Sequence, residues 1–151
     1  MNDPVPDVSL RPGHAVTDDE IAACYDVMAE LRPHVAREGF VALIRSMQAE
    51  GFRLACVRTG GRVVAVAGYR ISTNLFLGRN LYVDDLVTAG SERSNGHGRA
   101  FLAWLRGIAV ENGCRALHLD SGVQRQRAHE FYLREGLELS SYHFSVRLDS
   151  R

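Results

Sequence analysis

The stretch Arg93-Ser94-Asn95-Gly96-His97-Gly98 decides the fold, because of the residues on either side of it. Residues 81–88 before it predict a strand, and residues 99–106 after it predict the opening of a helix. A glycine-rich turn between a strand and a helix lets the main chain approach a ligand closely, and it leaves the first N–H groups of the helix without partners. Such a turn binds phosphate groups. We therefore predict a cofactor that carries phosphate.

Composition narrows the class of protein. A chain of 151 residues with 46% hydrophobic and 24% charged residues is typical of one globular domain. The formal net charge is zero, so no overall field favours nucleic acid or an anionic membrane. Residues 91–134 nevertheless contain seven arginines against four acidic residues, a local excess that suits an anionic cofactor. All 18 basic residues are arginine, which excludes Schiff-base lysine chemistry and the lysine-dependent P-loop.

Cysteine usage and the N-terminus indicate a cytoplasmic protein. The chain has three cysteines, Cys24, Cys56 and Cys114, and no CxxC pair, which favours a reducing compartment. The first residues are acidic and contain proline, unlike a signal peptide. No apolar run approaches the ~20 residues that span a bilayer. We expect neither a membrane nor a nucleic-acid partner.

The hydrophobic pattern predicts alternating helices and strands. Thr17 and Glu20 have the spacing of a capping box, so a helix is expected to begin there and to end at Pro33. The remaining predicted helices cover residues 36–50, 99–112 and 125–135, and the predicted strands cover residues 52–58, 62–72, 80–88, 115–120 and 137–148. We predict an N-terminal arm and first-strand region over residues 1–13 and a single domain over residues 14–149.

A dinucleotide-binding fold is the main competitor for this pattern. Its fingerprint, G-x-G-x-x-G, requires a third glycine where this chain has Phe101. Asp120 lies near the distance expected for the acidic residue of that fold, so the alternative stays open on spacing alone. The acidic pair Asp84-Asp85 inside the preceding strand argues against it.

Two motifs in order resemble the GNAT superfamily of N-acetyltransferases. The first joins Tyr82-Val83-Asp84-Asp85-Leu86-Val87-Thr88 to the turn at residues 93–98, and it resembles the acetyl-CoA signature of an acidic strand pair followed by (R/Q)-x-x-G-x-(G/A). The second, residues 128–137, resembles the family's A-x-x-F-Y-x-x-x-G-F, with Leu137 in place of phenylalanine. Arg125 stands where the family often has an asparagine that touches the cofactor. The resemblance covers residues 16–148.

The resemblance implies an α/β (α+β) single-domain fold, with a central mixed, mostly antiparallel sheet flanked by about four helices. It also implies acetyl-CoA as co-substrate. Backbone amides of residues 93–98 would hold its pyrophosphate, with Arg99 at the helix start, and a strand amide near Val87 would polarise the acetyl carbonyl. The cofactor-binding residues implied are Leu86, Val87, Thr88, Arg93, Ser94, Asn95, Gly96, His97, Gly98, Arg99 and Arg125.

The same resemblance assigns the catalytic residues. Asp84 matches the position where an acidic residue often acts as base, directly or through water, and Asp85 is its neighbour. Adjacent side chains in a regular strand point to opposite faces, so we expect only one of the two to face the acceptor and name Asp84 first. The alternative is that the pair only orients water or caps a loop. Tyr132 matches the tyrosine that protonates the departing thiolate, although its helical spacing is also typical of packing.

The acceptor is expected to be an amine of a small or amino-acid-like molecule. The segments that set acceptor choice in the superfamily contain His34, Phe76 and His143 here, so we predict these as acceptor-binding residues. A protein acceptor and a non-catalytic acyl-CoA-binding module are the alternatives. Direct transfer is preferred, because Cys114 has no partner for an acyl-enzyme. No metal is expected, since His118, Asp120 and His129 lack a ligand spacing. Superfamily members often pair, which implies a homodimer.

Overall fold

The computed structural model describes residues 11–93 and 95–149, which divide after Leu119 into two compact units. The first unit holds a sheet and four helices, and the second holds one helix and the segment that follows it. Most of the predicted N-terminal arm lies outside the described residues, as does Ser94 of the predicted cradle.

The five-stranded sheet is mixed and mostly antiparallel, as predicted. Its strands stand in chain order, and each neighbouring pair is antiparallel except the last, which is parallel. Gly60 and Gly61, both with positive φ, form the tight turn that joins the second strand to the third. The strands are β1 (Gly13–His14), β2 (Phe52–Thr59), β3 (Arg62–Asn74), β4 (Gly78–Thr88) and β5 (Ala116–Leu119).

The described residues form five helices, one more than the pattern suggests, because the first predicted helix is divided at Cys24. The predicted capping box is present: Glu20 N–H donates to Thr17 Oγ1 at 3.1 Å, and Thr17 N–H donates to Glu20 Oε1 at 2.9 Å. No described helix has the length and apolar character needed to cross a membrane. The helices are α1 (Asp18–Ala23), α2 (Tyr25–Leu31), α3 (Phe40–Ala49), α4 (His97–Glu111) and α5 (Gln126–Arg134).

Buried side chains cover both faces of the sheet in the first unit. On one face, Ile21, Met28 and Ile44 from α1–α3 pack with Phe52 of β2. On the other, Phe101 and Leu105 of α4 pack with the residues of β3 and β4 that point to that side. The central strands are therefore fixed from both sides, which makes β4 a rigid support for the residues it carries.

The strand predicted over residues 137–148 is absent, since residues 135–149 contain neither helix nor strand. The alternating apolar side chains that suggested it, such as Tyr142 and Phe144, are exposed. A strand requires a neighbour for its ladder of hydrogen bonds, and α5, the one regular element described in this unit, offers none.

Candidate active site

A β-bulge at Asp84 shapes the centre of β4. In the ladder with β3, Gly68 is opposite Asp85 and Tyr69 is opposite Val83, so Asp84 is the extra residue on β4. A bulge interrupts the alternation of side chains and re-aims them locally.

Both carboxylates lie on the face of the sheet that holds Phe52. A Cβ added at Gly68 would lie 2.4 Å from the Phe52 ring and 2.8 Å from Asp85 Oδ2, so the Asp85 carboxylate occupies the space above this glycine. Arg70 Nε donates to Asp84 Oδ2 at 2.8 Å, and the guanidinium carbon of Arg70 lies 5.5 Å from the centroid of the Phe52 ring. The prediction that the two aspartates face opposite sides is therefore wrong, because the bulge shifts the alternation by one residue.

Arg32 joins the acid pair to the end of α2. Its Nε donates to Asp85 Oδ1 at 2.8 Å and its Nη2 donates to the Asp84 carbonyl at 2.9 Å. Arg32 lies outside the helical region (φ −121°, ψ 67°), as is usual for a residue that precedes a proline, here Pro33. Arg32 is a site residue that the sequence did not single out, although an arginine directly before a proline was an available signal.

Burial raises the pKa of Asp85 above its usual value, and the neighbouring Asp84 charge adds to that effect. The hydrogen bond from Arg32 and the charges of Arg32 and Arg70 oppose it. The side chains of Asp84 and Asp85 are 19% and 11% exposed, so the first is the more accessible of the two. The pair thus combines a partly accessible carboxylate with a more buried one that holds a proton more readily than usual.

The C-terminal half of β4 has an open edge. β5 pairs with β4 only from Asn80 to Val83, so residues 84–88 have no strand partner on that side among the described residues. Ala89 N–H donates to the Val64 carbonyl of β3 at 2.8 Å. Alternation then directs the Val87 N–H to β3 and the N–H groups of Leu86 and Thr88 to the open edge. The amides that lie next to Val87 and point to the open edge are therefore those of Leu86 and Thr88.

The predicted phosphate cradle is the N-terminal turn of α4. Gly96 precedes the helix with φ 79°, a left-handed conformation that favours glycine. The first helical hydrogen bond runs from Ala100 N–H to the Gly96 carbonyl, so the amides of His97 and Gly98 have no acceptor within the helix. No atom of the described residues beyond its chain neighbours lies within 4 Å of a Cβ built at Gly96, which leaves room for a ligand there. These donors fit a pyrophosphate.

Glu92 organises the turn before α4, a role that the sequence did not suggest. It ends a short 3₁₀ turn (Gly90–Glu92), and its carboxylate accepts from Arg62 Nη2 at 2.6 Å and from Asn95 Nδ2 at 2.8 Å. His97 Nε2 lies 3.4 Å from the same carboxylate, so its ring is directed to Glu92. The pKa of Glu92 is lowered, and the hydrogen bond from Asn95 makes the largest contribution to that shift.

The second unit holds the predicted acid. Tyr132 lies on α5, where burial raises the pKa of its hydroxyl above the usual value of 10 and the charge of Arg125 opposes that shift. Arg125 is the N-cap residue of this helix. His143 of the same unit lies 3.4 Å from Asp120 through its Nδ1.

The other predicted site residues are dispersed. Phe76 is 91% exposed in the turn between β3 and β4, about 20 Å along the strand from Asp84. His34 is exposed just beyond Arg32, in the link between α2 and α3. No group of three or more metal-ligating side chains occurs in residues 11–93 and 95–149.

Comparison with known proteins agrees with this geometry. The acetyltransferase (GNAT) family matches residues 18–137. An uncharacterized N-acetyltransferase of Bacillus subtilis, YhdJ, is 30% identical over 128 residues, covering 83% of this chain and 90% of that protein. An aminoalkylphosphonate N-acetyltransferase of Salmonella typhimurium is 29% identical over 154 residues, covering 97% of this chain and 95% of that protein.

A solved structure confirms the fold. An aminoglycoside N-acetyltransferase in complex with coenzyme A aligns with a TM-score of 0.79 at 14% identity, over 91% of each chain. The family match covers most of the chain and includes the acid pair, the open edge of β4 and the cradle. The chain therefore belongs to the GNAT family and is an acetyl-CoA-dependent N-acetyltransferase.

Proposed function

We propose that this enzyme transfers the acetyl group of acetyl-CoA directly to the amine of a small-molecule acceptor. One observation carries the proposal: the bulged acid pair and the open edge follow one another on β4, directly before the turn into α4. Proton acceptor, main-chain donors and phosphate site thus occur in the order that acetyl transfer requires. The relative named for aminoalkylphosphonates, which are small amines, supports this choice of acceptor.

The main chain would bind the co-substrate. Amides of the first turn of α4 would hold the pyrophosphate, and the open edge of β4 would pair with the amides of the pantetheine arm as a further strand does. Acetyl-CoA supplies the activated acetyl thioester. The Leu86 N–H, directed to the open edge, would donate to the thioester carbonyl oxygen as negative charge develops there.

Asp84 would remove the proton from the acceptor's ammonium, directly or through a water molecule. A free amine is needed, because only its lone pair can form the new bond to the acetyl carbon. Asp84 is the more exposed carboxylate of the pair, and Arg70 fixes one of its oxygens by the 2.8 Å hydrogen bond from Nε. Asp85, held by Arg32 above Gly68, would then position the ammonium beside it.

Tyr132 would protonate the leaving sulfur as the carbon–sulfur bond breaks. A general acid must carry its proton at the working pH, and burial keeps the pKa of Tyr132 above 10. The Tyr132→Phe variant is therefore expected to lose about 10- to 100-fold in kcat with an unchanged affinity for desulfo-CoA. Since only the protonated hydroxyl donates, kcat of the native enzyme should fall as the pH rises through that raised pKa. An unchanged kcat in the folded Tyr132→Phe variant would assign the residue to packing alone.

Thermal unfolding with added ligand tests the proposal first. Acetyl-CoA and desulfo-CoA at about 100 times their Kd should each stabilise the protein by about 2.7 kcal/mol, several degrees for a domain of this size, and NAD should not. A screen of small amines, read by release of the coenzyme A thiol, should then give turnover. Binding without turnover on any amine would overturn the proposed reaction, and no shift at millimolar acetyl-CoA would overturn the assignment of the binding site.

A further inference from the structure

We infer that the acceptor is a small zwitterion, whose ammonium binds Asp84 and Asp85 while its acidic group binds Arg32 and Arg70. This inference rests on the proposed function and specifies its acceptor. The four side chains form one cluster, defined here as the double ion pair, built from the end of α2, from β3 and from the bulge of β4.

Charge balance is the first argument. Two guanidinium groups face two carboxylates in the double ion pair, so its formal charge is zero. A molecule with one positive and one negative group leaves that balance intact, whereas a diamine adds positive charge that nothing in the cluster offsets. Partly buried charge without a partner is costly, so a neutral cluster selects an acceptor of zero net charge.

Unused hydrogen-bond donors are the second argument. Arg32 uses Nε and Nη2, and Arg70 uses Nε and Nη1, for hydrogen bonds within the protein. The remaining terminal nitrogens, Arg32 Nη1 and Arg70 Nη2, have no hydrogen-bond partner among the residues that the structure describes. Both arginine side chains stay accessible, at 42% and 32% exposed. Each guanidinium therefore keeps an outward N–H₂ group beside the carboxylates, suited to a carboxylate or phosphonate oxygen.

Rigidity is the third argument. Arg70 lies over the ring of Phe52, which is fully buried, and its Nη1 also donates to the Glu50 carbonyl at 3.5 Å. Arg32 is fixed by its two hydrogen bonds and by the following proline. Guanidinium groups that are already ordered lose little freedom when they bind an anion. Arg32 and Arg70 are therefore specificity-determining residues, because they would recognise the acidic group of the acceptor, which does not react.

The experiment compares kcat/KM for matched amines: β-alanine, 2-aminoethylphosphonate, propylamine and 1,3-diaminopropane. At least one of the two zwitterions is expected to exceed propylamine by 10-fold or more, because hydrogen bonds to charged groups distinguish it, and the diamine is expected to be the poorest. The ratio between β-alanine and 2-aminoethylphosphonate identifies the acidic group as carboxylate or phosphonate. Turnover of propylamine or the diamine at least as fast as of both zwitterions overturns the inference and leaves the proposed function standing.

Arginine variants locate the effect. Arg32→Gln and Arg70→Gln should each reduce the zwitterion-to-propylamine ratio by about 10-fold or more, while thermal stabilisation by desulfo-CoA is retained. A purely structural effect of the substitution would lower kcat/KM equally for the zwitterion and for propylamine. The ratio would then be unchanged, which would overturn the inference. Arg53→Gln is the matched control, since Arg53 follows Phe52 on β2 and points to the other face. If no amine is acetylated by the native enzyme, the proposed function fails as well.

Discussion

The double ion pair and the turn before α4 are built in opposite ways. In the double ion pair, side chains provide the charged groups, and each carboxylate is held by an arginine from another element beside the fully buried Phe52. In the turn before α4, main-chain amides provide the hydrogen-bond donors, and the conformation of the turn depends on Gly96 and on Glu92. Changes to the first region should therefore affect the acceptor and the chemical step, and changes to the second should affect coenzyme A.

The largest effect is expected from Asp84→Asn, which removes the proposed proton acceptor. We expect kcat/KM to fall by about 100- to 10,000-fold, while stabilisation by desulfo-CoA is unchanged. Asp26→Asn is the matched control, because it removes an aspartate that is also paired with an arginine, Arg37, but on the exposed surface. A loss below threefold in the Asp84 variant would transfer the role of base to Asp85 or to water.

Gly68→Ala tests the packing under the acid pair. The new methyl group would meet the Phe52 ring at 2.4 Å and Asp85 Oδ2 at 2.8 Å, so it must displace one of them. We expect a loss of about 1–3 kcal/mol in the free energy of unfolding, measured in urea, together with weaker binding of the acceptor amine. Gly107→Ala, on the exposed side of α4 with nothing within 4 Å, should instead be neutral or stabilising. Equal stability of the two variants would contradict the described placement of Asp85.

Gly96→Ala tests the turn through its backbone. An L-residue at φ 79° is strained by about 1–2 kcal/mol, although no atom obstructs the new methyl group. We expect coenzyme A to bind about five- to tenfold more weakly, because part of the binding energy is used to restore the turn. Gly113→Ala carries a similar strain at the other end of α4, at φ 70°, and should lower stability without lowering affinity. Similar affinities in the two variants would show that the turn tolerates a change of conformation.

The smallest effect is expected from Glu92→Gln. This variant weakens the contacts to Arg62 and His97 while keeping an oxygen for Asn95. Coenzyme A affinity, measured by calorimetry, should fall by about two- to fivefold, the scale of an exposed ion pair. KM for the acceptor should not change. A change in acceptor KM alone would mean that the two regions are not separate in function.

Local patterns predicted the second region better than the first. The turn at residues 93–98 and the helix after it follow from glycine and helix-terminus chemistry, which the neighbouring residues largely determine. The double ion pair depends on the partners of β4 instead. Arg32 and Asp85 are 53 residues apart in the chain, and no periodicity brings them together.

The bulge explains the error at the acid pair. Strict alternation sends Asp84 and Asp85 to opposite faces, and only the observed register with Gly68 and Tyr69 shows that one residue is extra. The same register, continued to the hydrogen bond of Ala89, shows that the N–H groups of Leu86 and Thr88, and not that of Val87, point to the open edge. Alternating sequence therefore predicts that a strand exists, and its neighbours determine where each group points.

The short pairing of β4 with β5 has a consequence for how the protein behaves in solution. Leu86 and Thr88 direct main-chain N–H and C=O groups to the open edge of β4, where no described strand pairs with them. Such an edge binds extended chains of any origin, including a second unfolded or partly folded copy. A ligand that pairs along this edge occupies its hydrogen-bonding groups, so that a second chain cannot bind there. Protein purified with coenzyme A present should therefore remain dispersed at concentrations where protein purified without it aggregates.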